Sequence, residues 1–134
     1  MIVVDTSVVI CWFVEQEQSR AARAFLESEP DLAAPDLLGL EVANGLFKYV
    51  HRGVMEESAW FDAVENELPN AVVVWSDVSA LLPAAMRIAA RHGGAIQDAC
   101  FIALAQSLDL PLATADKQQA EAARKLNISV QFVA

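Results

Sequence analysis

The chain has 134 residues, 55% of them hydrophobic, with 18 Asp and Glu against nine Lys and Arg and a formal net charge of −9. This length fits one domain that buries roughly two-thirds of the surface its unfolded chain exposes. The acid excess excludes a protein that coats nucleic acid through a broad basic face, but not an enzyme that acts on it. No apolar run approaches the ~20 residues of a transmembrane helix. Asp5 interrupts the N-terminal apolar run and no basic segment precedes it, so no signal peptide is expected and the expected location is cytoplasmic. A mean hydropathy of +0.34 leaves spare apolar surface, best accounted for by oligomerisation or a protein partner.

Strand-length apolar runs alternate with helical patterns, which predicts an α/β fold on a mostly parallel sheet. A first strand is predicted from Ile2 to Asp5, then a helical region from Ser7 to Ser28 broken near Val14 and Glu15. A short strand at Leu32 to Ala34 ends at Pro35. A long helix follows from Asp36, its expected cap, to Arg52, stopped by Gly53. Another covers Glu56 to Leu68 and is ended by Pro69 and Asn70. Ala71 to Trp75 reads as a β-branched strand. Ser79 to His92 reads as a helix with Pro83 tolerable only near its first turn, closed by Gly93 and Gly94. The run from Asp98 to Leu108 is apolar nearly all round, as in a buried central helix. A strand at Leu112 to Thr114, a helix from Lys117 to Leu126 and a strand from Ile128 to Phe132 complete the chain. No repeat, low-complexity segment or linker divides it, so a single domain spanning residues 1–134 is expected.

Four acids stand where carboxylates are normally unwelcome. Asp5 follows the first strand, Glu41 interrupts an apolar helix, Asp98 opens the most apolar helix, and Asp116 follows the strand ending at Thr114. A buried carboxylate pairs, protonates or binds a metal, and few cations neighbour these four in sequence. In open parallel sheets, sites form beyond the carboxyl ends of strands, which is where Asp5 and Asp116 fall. Each acid alone has a plainer account. Asp5 and Asp98 could cap the helices that follow them, and Asp116 with Gln119 resembles a capping box. Glu41 could lie on a solvated stripe. Capping and metal binding are compatible, because a carboxylate has several lone pairs. The conjunction of four points to a divalent-metal site.

Thr6, Ser7 and Thr114 neighbour these acids and could either bond turns or orient carboxylates. Gly45, one turn after Glu41, removes bulk and leaves room for another element. His51 and His92 fall at helix ends with no second His or Cys at ligand spacing, so zinc sites and nucleophilic triads have little support. Cys11 and Cys100 lie in apolar runs and read as buried free thiols. Trp12, Trp60 and Trp75 read as core or interface residues. Lys48, Arg52, Arg87, Arg91 and Lys117 are the cations available for phosphate contacts.

With those acids in place, the chain resembles a PIN-domain ribonuclease of the VapC toxin type over almost its whole length. The pieces that carry the resemblance are IVVDTSVVI at 2–10, PDLLGLEVANGLFKYVHRG at 35–53, AIQDACFIALAQ at 95–106 and LATADKQQ at 112–119. The resemblance implies that Asp5, Glu41, Asp98 and Asp116 form the catalytic, metal-binding acid quartet, with Thr6 and Thr114 at the hydroxyl positions beside the first and last acids. It also implies a three-layer α/β/α sandwich, Mg²⁺ or Mn²⁺ dependence, RNA cleavage, homodimers or higher even oligomers, and inhibition by an antitoxin protein. Gln97 departs from the pattern, since relatives often carry an aromatic residue before the third acid.

The chemistry is coherent with that kinship. Phosphodiester hydrolysis needs activated water and charge stabilisation on the attacking and leaving oxygens, which one or two Mg²⁺ supply. Mg²⁺ favours carboxylate oxygens and keeps several waters, so a sparse acid cluster suits it. Asp5 and Asp98 are the expected principal ligands, with Glu41 and Asp116 holding a second ion or orienting water. Two alternatives are a non-catalytic PIN-like regulatory module and an aspartyl phosphotransferase using Asp5. The second would favour another acid at position 7, which is Ser.

Overall fold

The structure is a computed structural model that describes residues 1–28 and 30–134. They form a five-stranded sheet of order β3-β2-β1-β4-β5, with every pairing parallel. The strands are β1 (Ile2–Val4), β2 (Leu32–Pro35), β3 (Val72–Ser76), β4 (Leu112–Thr114) and β5 (Val130–Phe132). β1 lies at the centre, with Val3 opposite Ala33 on one side and Leu112 on the other. The first three strands are laid down outward in one direction, and the chain then returns past β1 to add β4 and β5 in the other. The switch point therefore falls between β1 and β4, where ligands of open α/β sheets gather at the carboxyl ends.

Right-handed crossovers assign the helices to faces. The first face carries α1 (Thr6–Phe13), α2 (Ser19–Glu27), α3 (Leu37–His51), α4 (Glu57–Asp62) and α5 (Leu68–Ala71). The second carries α6 (Val78–His92), α7 (Ile96–Leu108) and α8 (Lys117–Lys125). Accordingly α1 packs on α2 and α3, while α7 packs on α6, α8 and strands β1, β2 and β4. The result is a three-layer α/β/α sandwich, as the resemblance implies, on the parallel sheet that the sequence pattern predicts. Being enclosed on several sides accounts for the apolar composition of α7, in which every residue from Ala99 to Ala105 is buried. No helix among the described residues is long and apolar enough to cross a membrane.

Several boundaries differ from the sequence expectation. Pro69 does not end its helix. A π turn at Ala63–Glu67 joins α4 to α5, with the Leu68 N–H bonded to the Ala63 carbonyl. Pro69 then sits in the opening turn of α5, where its fixed φ suits a helical residue, and β3 begins only at Val72. Pro83 lies beyond the first turn of α6, which starts at Val78 under an Asp77 cap. Asp36 does not cap α3 with its side chain; its Oδ1 accepts instead from the Val78 N–H at 3.1 Å. Tertiary approach of α6 thus takes the carboxylate away from its own helix.

Other expectations hold. Gly93 ends α6 with φ +73°, a left-handed conformation that suits a residue without Cβ. Cys11 and Cys100 are free and buried. Gly45 admits α1: a Cβ there would stand 2.8 Å from Ile10 Cδ1.

Candidate active site

Asp5 leaves the central strand and turns the chain into α1. Its extended backbone makes it the N-cap, and its Oδ2 accepts from the Ser7 N–H at 3.1 Å and from Ser7 Oγ at 2.6 Å. Oδ1 accepts from Gln119 Nε2 at 3.1 Å. The residue is 4% exposed. Burial raises its pKa, and the bonds from Ser7 and Gln119 oppose that rise by favouring the charged form. Ser7 Oγ also accepts the Ala115 N–H at 2.9 Å, so one hydroxyl ties the end of β1 to the end of β4.

Glu41 enters from α3. Thr6 Oγ1 donates to its Oε1 at 2.7 Å, which orients the carboxylate toward the carboxyl end of β1. Burial raises its pKa, the Thr6 bond lowers it, and the negative charge of Asp5 raises it further. Asp116 follows β4 and caps α8, its Oδ1 accepting from the Gln118 and Gln119 N–H groups at 2.9 and 3.2 Å.

Asp98 differs from its expected capping role. α7 begins two residues earlier, at Ile96 with Ala95 as N-cap, so Asp98 lies inside the first turn, where the helix dipole favours negative charge. Its pKa is pushed up to about 6, first by burial and then by the charges of Asp5, Asp116 and Glu41. All three of the other acids therefore act on Asp98 through one shared field. No cation contributes to its shift. Among the described residues the only Lys or Arg ion pair joins Arg23 and Glu15, and involves none of the four.

The capping-box expectation for Gln119 also fails. The Asp116 N–H is taken by Thr114 Oγ1 at 3.0 Å, leaving the Gln119 side chain to reach inward. Ser7 and Gln119 are the site residues that local reading undervalued. The signal for Gln119 was present: it belongs to the buried stripe of α8 with Ala120 and Ala123, where an amide needs a partner. A cleft of about 220 Å³ opens beside Asp98 and Gln119, bounded by His92 and Gly93 at the end of α6 and by Gln118 and Lys125 of α8. Lys48, Arg52, Arg87, Arg91 and Lys117 are all exposed.

The donor set fits a hard divalent cation. It is all oxygen and anionic, and no hydrogen bond from the described residues engages the Asp98 carboxylate or the second oxygens of Glu41 and Asp116. As these side chains stand, no three His, Cys, Asp or Glu among the described residues form a metal-holding group.

Fold and site together define an α/β domain with acids gathered at its switch point. A model of the PIN domain matches residues 2–125, and the chain belongs to the PIN-domain family. It is 34% identical to Ribonuclease VapC3 of Pyrobaculum aerophilum over 122 residues, which cover 90% of this chain and 92% of that protein. Among solved structures it resembles VapC20 of Mycobacterium tuberculosis, a sarcin–ricin-loop-cleaving toxin, with a TM-score of 0.73 at 19% identity over 91% of this chain and 95% of that one. It also resembles FitAcB of Neisseria gonorrhoeae, with a TM-score of 0.67 at 21% identity over 97% and 96% of the two chains. A toxin–antitoxin complex from Klebsiella pneumoniae matches with a TM-score of 0.64 at 20% identity over 90% of each chain. At these identities the structural matches speak for the fold.

Proposed function

We propose that this protein is a divalent-metal-dependent endoribonuclease, the toxin of a VapBC-type pair, with Asp5, Glu41, Asp98 and Asp116 as its catalytic acids. Kinship to Ribonuclease VapC3 supports the reaction class. The observation that carries the site is Asp98, raised by burial and by all three partner acids with no cation in the balance. Such a site is prepared for an added positive charge.

Bound there, Mg²⁺ or Mn²⁺ would supply an activated water and charge stabilisation on the attacking and leaving oxygens. Asp5 and Asp98 would be its principal ligands, with Glu41 and Asp116 completing the set or orienting the attacking water. Ser7 and Gln119 fix Asp5, while Thr6 fixes Glu41 and Thr114 anchors the Asp116 turn; each limits the freedom of a ligand before substrate arrives. The bond from phosphorus to the leaving oxygen breaks as the water oxygen adds; the attacking water gives up one proton, and the leaving oxygen takes one up. The phosphotransferase alternative has little support, since Ser7 occupies the position of a second acid and donates to Asp5.

The partners proposed are RNA, a cognate antitoxin and a second copy of the chain. Exposed Phe47 on α3 and Phe61 on α4 adjoin Trp60, whose ring centroid lies 5.6 Å from that of Phe47 and 5.5 Å from that of Phe61, and Leu40 is also exposed on α3. A second exposed apolar set, Val73 and Trp75 on edge strand β3 and Leu82 and Met86 on α6, gives further surface for association. Light scattering should show a dimer or a higher even oligomer; a concentration-independent monomer would contradict that assembly.

Incubation of labelled RNA with the purified protein tests the activity. Cleavage should require Mn²⁺ or Mg²⁺ and stop in EDTA. Binding of the antitoxin without any cleavage would favour the non-catalytic alternative.

A further inference from the structure

Gln119 is the least expected side chain of the site. It is a neutral amide, 3% exposed, on the inner stripe of α8. Its Nε2 donates to Asp5 Oδ1 at 3.1 Å and to the Asp98 carbonyl oxygen at 3.2 Å, while its Oε1 accepts from Thr114 Oγ1 at 2.6 Å. The orientation of the amide is set by these partners. Two acceptors face the nitrogen and a hydroxyl faces the oxygen, so a flipped amide would turn its carbonyl against a carboxylate and a peptide oxygen.

These contacts divide the task of holding Asp5. Ser7 secures Oδ2 from within the same turn. Gln119 is the hydrogen-bond donor to Oδ1, so the two together fix the plane of the carboxylate. The same amide ties Asp5 to the main chain of Asp98, across the switch point from β1 to α7. One side chain thus spans β1, β4, α7 and α8 where their ends meet.

We propose that Gln119 is a positioning residue: it sets the plane of the Asp5 carboxylate and its separation from Asp98, and thereby the affinity of the acid site for a divalent ion. This rests on the metal-dependent reading of the site given above. A buried amide bonded to protein on both ends has no donor left for RNA, so its influence runs through Asp5. Groups that orient metal ligands typically change metal affinity or activity by about 10–100-fold when removed.

The test compares wild type with Gln119→Leu and Gln119→Asn, and uses Gln106→Leu, at an exposed position in the last turn of α7, as control. Leu keeps bulk without an amide, and Asn keeps the amide but withdraws it by one methylene. Mn²⁺ binding, followed by electron paramagnetic resonance, should weaken at least about 10-fold in both Gln119 variants and remain unchanged in Gln106→Leu. The turnover number should fall with it, while KM for RNA stays near the wild-type value. Equal Mn²⁺ affinity in wild type and Gln119→Asn would overturn the proposal. So would a rise in KM at unchanged turnover, which would mark a substrate contact. A wild type that binds no Mn²⁺ would overturn the metal reading itself, and this role with it.

Should the variants not fold, the wild-type side-chain amide decides. Its Nε2 protons should exchange slowly with solvent and shift in ¹⁵N-resolved NMR spectra on Mg²⁺ addition, whereas those of exposed Gln106 should exchange quickly and stay in place. A Gln119 amide that exchanges freely or ignores Mg²⁺ would equally overturn the proposal.

Discussion

Thr6 donates its hydroxyl to Glu41 Oε1 across 2.7 Å, joining the first residue of α1 to the second turn of α3. That bond carries an acid from one helix to the strand end where another acid begins. Hydrogen bonds to charged groups typically contribute about 1.5–3 kcal/mol, less where water competes. Thr6→Val keeps the shape and removes the donor. It should lower unfolding free energy by about 1–2 kcal/mol in urea titration and weaken Mn²⁺ binding, since Glu41 loses its orientation. Unchanged stability and unchanged binding would show the bond to be incidental.

Asp98 gives a pH prediction with a definite sign. Its native pKa of about 6 stands above the ordinary value of 3.8, so between those values the native state holds a proton that the unfolded state releases. Stability from this group therefore declines as pH rises from about 4 to about 6, and the penalty is complete above that. Asp98→Asn removes it. In EDTA at pH 7.5 the variant should be more stable by on the order of 1 kcal/mol, after discounting for partial exposure, or a few degrees in Tm. At pH 4 the gain should vanish. With Mn²⁺ present at pH 7.5 the order should reverse, because only the wild type gains by binding. A variant equally stabilised at both pH values would point to packing instead of charge.

Gly45 sets how closely α1 and α3 approach. A Cβ at this position would press on Ile10 Cδ1, the movable end of a side chain, while Ala gains roughly 1 kcal/mol of helix propensity over Gly. Gly45→Ala should therefore stay within about 1 kcal/mol of wild type. Gly45→Leu must push the helices apart, with a loss of about 1–3 kcal/mol, and should stretch the Thr6–Glu41 bond enough to weaken Mn²⁺ binding. Denaturant titration and Mn²⁺ binding on the two variants check both halves.

The order of strands and helices was legible because each buried strand is a short apolar run and each helix has its own stripe. Asp5, Glu41, Asp98 and Asp116 stood out for the same reason, as charges set against apolar surroundings. What stayed hidden was decided by neighbours remote in sequence. Pro69 reads as a stop, yet a π turn at Ala63–Glu67 carries the helix past it. Asp36 reads as a cap, yet α6 supplies Val78 as its partner. Asp98 reads as a cap because its polarity marks a boundary, whereas the helix starts at Ile96 and leaves the carboxylate free for the cluster. Gln119 reads as half of a capping box, a local motif, while its partners Thr114, Asp5 and Asp98 arrive from three other elements.

The central claim is that these carboxylates hold a divalent ion, and an anomalous difference map from Mn²⁺-loaded crystals tests it most directly. The account predicts a Mn²⁺ peak bonded to carboxylate oxygens of Asp5 and Asp98 at about 2.1–2.2 Å, with Glu41 or Asp116 on the same ion, on a second one, or on bound water. A peak elsewhere in the domain with these four acids bare, in a protein that cleaves RNA only with Mn²⁺, would contradict it.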